Sequence, residues 1–250
     1  MKNIKLIIEY NGKNYRGWQK QPTENSVQEV IEEGIKKITQ KEVKLNGSGR
    51  TDSGVHALGQ VATFYTDANI EGYKFKNALN SILPSDIVIK ESEEIDISFH
   101  ARYHAKAKTY KYIIYNNNTR SAIHRDFSYH VPYELDIDKL TISANRLIGT
   151  YDFTSFTSKK NSKKNKVRTI HDIDIVIKGK LIEIRYTGNG FLYNMVRIMT
   201  GTLVDIARGK IKEDILDIIK AKDRDRAGIT AAAQGLYLEK VYYKDNWKNI

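Results

Sequence analysis

Apolar and polar residues alternate at the start of the chain. Ile4, Leu6, Ile8 and Tyr10 share one face, which predicts a strand, and Asn11-Gly12 supplies the turn after it. From Ser26 the period lengthens. Val27, Val30, Ile31, Ile35 and Ile38 fall on one side of a helix, with Ser26 and Glu29 at capping-box spacing. Glu42 to Leu45 reads as a short strand and Gln60 to Tyr65 as a longer one. A helix over Tyr73 to Ile82 must stop before Pro84, and Ile87-Val88-Ile89 is strand-like.

The second part repeats this inventory. Lys106 to Tyr115 predicts a strand. Asp138 to Ile148 predicts a helix with Leu140, Ala144, Leu147 and Ile148 inward and Gly149 past its end. Ile170 to Lys178 and Leu181 to Thr187 are strands. An apolar helix runs from about Leu192 to Ala207, a shorter amphipathic one spans 212–222, and Leu236 to Tyr243 is a closing strand. The fold class expected is α/β or α+β, in two halves of similar content, 1–104 and 105–250. No clean internal repeat accompanies the similarity.

Charge separates the halves. Residues 1–100 hold 13 Lys and Arg against 14 Asp and Glu, whereas residues 101–250 hold 28 against 16. A basic half attracts a polyanion by charge and counterion release, and the chain's 16 tyrosines can stack on bases. Nucleic acid is therefore the expected partner; a basic but merely solvated surface is the alternative. Residues 158–168 carry six cations and no acid, which predicts an exposed loop suited to phosphate contact. No apolar run reaches membrane-spanning length, and no signal peptide precedes the first strand, so a cytoplasmic protein without a membrane is expected. The chain has no cysteine, which removes disulfides, thiolate nucleophiles and thiolate-bound zinc. Metal-ligand spacings, phosphate-cradling glycine loops and serine-esterase elbows are also absent, so neither metal nor cofactor is expected.

One segment stands apart from the periodic elements. Gly49-Arg50-Thr51-Asp52-Ser53-Gly54-Val55-His56-Ala57 is too rich in glycine and small polar residues for a buried helix or regular strand. It reads as a loop holding a carboxylate beside a cation. Asp52 is either a turn cap or a catalytic group. Arg50 either keeps that carboxylate ionised or contacts a phosphate, and His56 is more commonly structural in such a loop. Tyr110 and Tyr112 share one face of a strand, as core residues or as a base-stacking platform. Arg197 interrupts an otherwise apolar helix. A guanidinium so placed needs a partner, with Asp52, Asp205 and Asp174 as candidates.

The nine-residue segment resembles the catalytic motif of the tRNA pseudouridine synthase A family. So do further blocks in the same order: Glu9-Tyr10-Asn11-Gly12, Tyr15-Arg16-Gly17-Trp18-Gln19, Phe99-His100-Ala101-Arg102, Lys108-Thr109-Tyr110-Lys111-Tyr112, Asp152-Phe153-Thr154-Ser155-Phe156, Gly190-Phe191-Leu192-Tyr193-Asn194-Met195-Val196-Arg197 and Gly235-Leu236-Tyr237-Leu238. The resemblance implies two related α/β halves whose mainly antiparallel sheets join into one extended sheet, with the active site in the cleft between them. It implies a homodimer that isomerises uridine to pseudouridine at positions 38, 39 and 40 of the tRNA anticodon stem-loop. By the same resemblance Asp52 is the nucleophile, Tyr110 stacks on the target base, Arg197 pairs with Asp52 and Arg50 helps extrude the nucleotide. The alternatives are a synthase acting on other tRNA positions and a tRNA-binding protein without catalysis.

Overall fold

The computed structural model describes every residue except 23–24, 160–163 and 245–250. The middle of the basic 158–168 loop therefore lies outside the described residues. In chain order the elements are β1 (Lys2–Tyr10), α1 (Val27–Thr39), β2 (Asn46–Gly47), β3 (His56–Thr66), α2 (Phe75–Asn80), β4 (Ile87–Ile95) and β5 (Ala107–Asn116). They continue as β6 (Tyr129–Val131), α3 (Ile137–Asn145), β7 (Gly149–Asp152), β8 (Val167–Lys178), β9 (Leu181–Gly188), α4 (Met195–Ala207), α5 (Ile215–Ala221) and β10 (Leu236–Tyr242). The protein is a mixed α/β fold in which most strand pairs are antiparallel. Among the described residues no helix is long and apolar enough to cross a membrane.

Two compact units emerge. The first is Met1–Lys106 with Tyr237–Ile250, and the second is Ala107–Leu236. The expected division put everything after residue 104 in one half. In the structure the last strand returns to the first unit, because β10 pairs in parallel with β3, Tyr237 opposite His56 and Leu238 opposite Ala57. Periodicity marks a strand but not its neighbour, so this pairing has no local signature.

In the first unit β1 lies between β3 and β4, antiparallel to both. The alternation in β1 sends Ile4, Leu6, Ile8 and Tyr10 into the core. Helix α1 starts where the capping signal predicts, the Ser26 hydroxyl accepting the Glu29 N–H at 3.3 Å. It buries Val27, Ile31 and Ile35, whereas Val30 and Ile38 stay half-buried. Phe64 of β3 meets Phe75 of α2 edge to face at 5.3 Å. The expected strand at Glu42 to Leu45 does not form. The pairing is two residues long, at Asn46–Gly47 opposite Thr63 and Ala62. The expected helix at Tyr73 to Ile82 is a short 3-10 turn followed by α2.

The second unit has an antiparallel path, β5 to β9 to β8 to β7, with β6 added in parallel to β5. Tyr112, Tyr186, Phe153 and Phe156 are fully buried. Helix α3 buries Leu140 and Ala144 and is followed by buried Leu147, while Ile148 is half-buried and Gly149 opens β7. Helix α4 buries every residue but one, Arg197, which is half-buried. It begins three residues later than the apolar pattern suggests, because Asn194 adopts a left-handed backbone at φ 60°.

Candidate active site

The Asp52 loop connects β2 to β3 and is held by main-chain contacts. Its tip is a β-turn: the Val55 N–H donates to the Asp52 carbonyl at 3.1 Å, and Gly54 supplies φ +77°. The segment after β1 grips the turn. Trp18 N–H donates to the Thr51 carbonyl at 3.1 Å, Gly54 N–H to the Tyr15 carbonyl at 3.3 Å, and the Ser53 hydroxyl to that same carbonyl at 3.3 Å. Asp52 itself is half-buried and Arg50 is exposed.

Two glycines permit the grip. Gly17 has φ +95°, and a Cβ there would stand 2.5 Å from the Thr51 carbonyl oxygen. Gly12 is tighter still, since a Cβ there would fall on the Val55 carbonyl, with the Val55 carbonyl carbon only 2.6 Å away. Neither position has room for a side chain, so backbone lies directly on backbone behind the carboxylate.

Buried side chains complete the support. The Tyr10 hydroxyl shares a hydrogen bond with the Thr51 hydroxyl at 2.7 Å. Gln60, fully buried, accepts from the Ser48 hydroxyl at 2.7 Å and donates to the Gly49 carbonyl at 2.9 Å. Burial pushes the Tyr10 phenol up from its ordinary range, against hydrogen bonds with Thr51 and Gln60 that pull it down, so it remains a neutral hydroxyl. Tyr10→Phe leaves the Thr51 hydroxyl without this partner. We expect a loss of about 1–2 kcal/mol, read as a fall of about 5 °C in the thermal midpoint. An unchanged midpoint would mean that this bond does not stabilise the loop.

His56 serves the loop's exit. It is 1% exposed, and its Nδ1 accepts the Gly12 N–H at 3.1 Å, which fixes the ring proton on Nε2. The ring stacks on Tyr237 of β10, centroids 4.8 Å apart. Tyr10, Gly12, Gly17, Gln60 and Tyr237 were not singled out as site residues. Gly12, Gly17 and Tyr237 lie within the blocks that resemble the family, but only the fold brings them to the Asp52 loop.

Tyr110 and Arg197 belong to the second unit, Asp52 and Arg50 to the first. Tyr110 lies on β5 opposite Tyr186, is 8% exposed, and meets Phe191 edge to face at 5.1 Å. Tyr112 on the same strand is core, its hydroxyl donating to the Ala232 carbonyl at 2.6 Å. Arg197 is fixed within its own unit. Its Nε donates to the Ala231 carbonyl at 2.7 Å and its Nη1 to Asn194 Oδ1 at 3.1 Å, while its carbonyl accepts from the Ala231 N–H at 3.1 Å. The two other carboxylates weighed for it are engaged elsewhere. Asp205 lies 3.4 Å from Arg208 and 3.5 Å from Lys210, and Asp174 lies 3.5 Å from Arg185.

A family model described as tRNA pseudouridine synthase matches residues 6–104 and 143–244. The chain belongs to the tRNA pseudouridine synthase family. It is 52% identical to tRNA pseudouridine synthase A of Acetivibrio thermocellus, over 97% of this chain and 100% of the relative. It is 53% identical to the protein of that name from Caldicellulosiruptor saccharolyticus, again over 97% and 100%. Among solved structures, a Cbf5-Nop10-Gar1 complex is 15% identical, covering 94% of this chain and 48% of that one at a TM-score of 0.44, a likeness too loose to place residues by. The protein is thus an isomerase that converts uridine to pseudouridine in tRNA. Asp52 and Arg50 fall in the first stretch matched to the synthase family and Arg197 in the second, whereas Tyr110 falls in the interval between them.

Proposed function

We propose that Asp52 is the nucleophile of a tRNA pseudouridine synthase acting at uridines 38, 39 and 40 of the anticodon stem-loop. What carries the reading is the clamp on the Asp52 loop: a half-buried carboxylate on a turn immobilised by main-chain bonds to Tyr15 and Trp18. Ordering a nucleophile during folding removes that cost from the chemical step.

The reaction sets the remaining roles. Uridine and pseudouridine are isomers, so no redox cofactor or energy source is required. The C1′–N1 bond breaks, the uracil turns, C1′ bonds to C5, and the proton leaving C5 is balanced by one gained at N1. A carboxylate assists by attacking C1′ or C6, or by taking a ribose proton; each route needs it ionised. In this reading the Arg197 guanidinium stabilises that anion. The target nucleotide must leave the stack at a cost of a few kcal/mol, of which a tyrosine face recovers roughly 1–3 kcal/mol. Tyr110 takes that part, and Arg50 helps hold the nucleotide out. Lysines and arginines of the second half attract phosphates without reading sequence.

The working form in this reading is a cytoplasmic homodimer, in keeping with the family resemblance and a chain without cysteine. Purified protein is expected to convert only uridines 38–40 in unmodified tRNA transcripts, mapped by base-specific chemical modification and primer extension. Conversion confined to other positions would overturn the address while leaving the isomerase.

A further inference from the structure

The second unit contains a cavity of about 260 Å³ that includes none of the residues given catalytic roles above and takes Ser158, Lys159 and Lys166 from the two ends of the basic 158–168 loop. Its walls are the 3-10 turn at Thr154–Phe156 with the residues that follow it, Lys166 at the entry to β8, and Lys222 to Arg224 after α5. Four cations line it, Lys159, Lys166, Lys222 and Arg224, against one carboxylate, Asp223. We propose that this cavity binds a phosphodiester of the tRNA, as a second anchor point away from the reacting uridine. The inference rests on tRNA being the substrate and is independent of which residue is the nucleophile.

Size and chemistry agree. The volume lies below the roughly 300–1,000 Å³ of sites for whole drug-sized molecules, and every lining side chain ends in a hydroxyl, a cation or a carboxylate, which suits a single charged group. The Arg224 guanidinium is held by three uncharged acceptors, the Ala227 carbonyl at 3.2 Å, the Gly228 carbonyl at 2.9 Å and Thr230 Oγ1 at 3.2 Å. Hydrogen bonds to neutral acceptors orient a guanidinium and leave its charge available to an anion. Lys166 is fixed at its backbone, its carbonyl accepting the Phe153 N–H at 3.1 Å. Lys159 pairs with exposed Asp225 at 2.7 Å, a solvent-screened contact exchangeable for phosphate oxygens, whereas Lys222 holds the half-buried Asp152 at 3.0 Å.

Position adds a reason for this occupant. The cavity wall is joined to the segment leading into α4. The Thr157 hydroxyl and the Ser158 N–H donate to the Tyr193 carbonyl at 3.1 and 3.3 Å. Arg197 lies one turn further along. A phosphate held here is thus tied through Tyr193 to the segment that leads into the helix carrying Arg197, and the Tyr193 ring is exposed enough to stack on a base.

The test uses Lys159→Gln/Lys166→Gln, both on the cavity wall. The control is Lys37→Gln, on α1 of the first unit. Affinity for an unmodified tRNA transcript is measured from about 50 to 200 mM salt, together with the single-turnover rate at saturating tRNA. The double variant is expected to bind about tenfold more weakly, with a log K against log salt slope shallower by about 2, and to keep its saturating rate within about twofold. Arginine at both positions is expected to restore affinity. Affinity and slope equal to those of the control overturn the proposal. So does calorimetric binding of uridine 5′-monophosphate or inorganic phosphate that the double variant loses while its tRNA affinity is unchanged, since the cavity then serves a free anion. The expected salt response in a wild-type protein that forms no pseudouridine would sink the catalytic reading and leave this anchor standing.

Discussion

Asp52→Ala lowers the single-turnover rate of pseudouridine formation by roughly 10⁴-fold or more, while tRNA affinity stays within about threefold of wild type. The two parts of this expectation have separate causes. The rate falls because no other side chain of the loop can act as an anionic nucleophile: its neighbours are Thr51, Ser53 and Gly54. Affinity persists because binding to a polyanion comes mainly from lysines and arginines spread over the second half. The fold should also persist. The turn is held through the Thr51, Asp52 and Gly54 backbones and through the Thr51 and Ser53 hydroxyls, and alanine at position 52 keeps all of these contacts. Asp52→Asn separates charge from shape, and an equal loss there assigns the effect to the carboxylate's charge. Retention of even a hundredth of the wild-type rate in Asp52→Ala would remove Asp52 from the chemistry.

Gly12→Ala is the corresponding expectation for the clamp. The added methyl has the Val55 carbonyl where it must sit, and Val55 closes the turn that carries Asp52. The Val55 atoms are main chain and the methyl is fixed by its own backbone, so no rotamer change relieves the clash. We expect a loss of roughly 3 kcal/mol and a thermal midpoint lower by about 10 °C. Activity should fall further than the unfolded fraction explains, because the displaced atoms are those that position the carboxylate. Gly179→Ala makes the contrast: its φ is +60° and nothing lies within 4 Å, so backbone strain alone applies, about 1 kcal/mol. A Gly12→Ala protein with wild-type melting and wild-type rate would contradict the clamp.

The elements were largely legible because their signals are local. Four alternating residues mark β1, and a serine three residues before a glutamate marks the start of α1. The errors fall where a distant partner or a single backbone angle decides. β2 forms at Asn46–Gly47 and not at 42–45, because Thr63 and Ala62 of β3 choose the paired residues. The start of α4 is set by the left-handed Asn194, which an apolar pattern cannot register. His56 reads as structural in such a loop, and in the fold its ring nitrogen is taken up by the Gly12 N–H and its face by Tyr237. The loop that carries the candidate site was legible, since its glycines and small polar residues exclude a buried helix or a regular strand there. Its support was not, because residues 10–18 and 237 approach it only through the fold.

By itself the sequence determined the class of elements, the split between a near-neutral and a basic half, and the loop in which a carboxylate stands among glycines. These follow from periodicity, charge and backbone freedom, all properties of neighbouring residues. Tertiary structure alone decided that the last strand returns to the first unit beside β3, that Gly12 and Gly17 press backbone against the Asp52 turn, and that four cations from three separate segments line one cavity. Each of these joins residues far apart in the chain. Which distant segments meet depends on the packing of the whole core, and no local pattern encodes it.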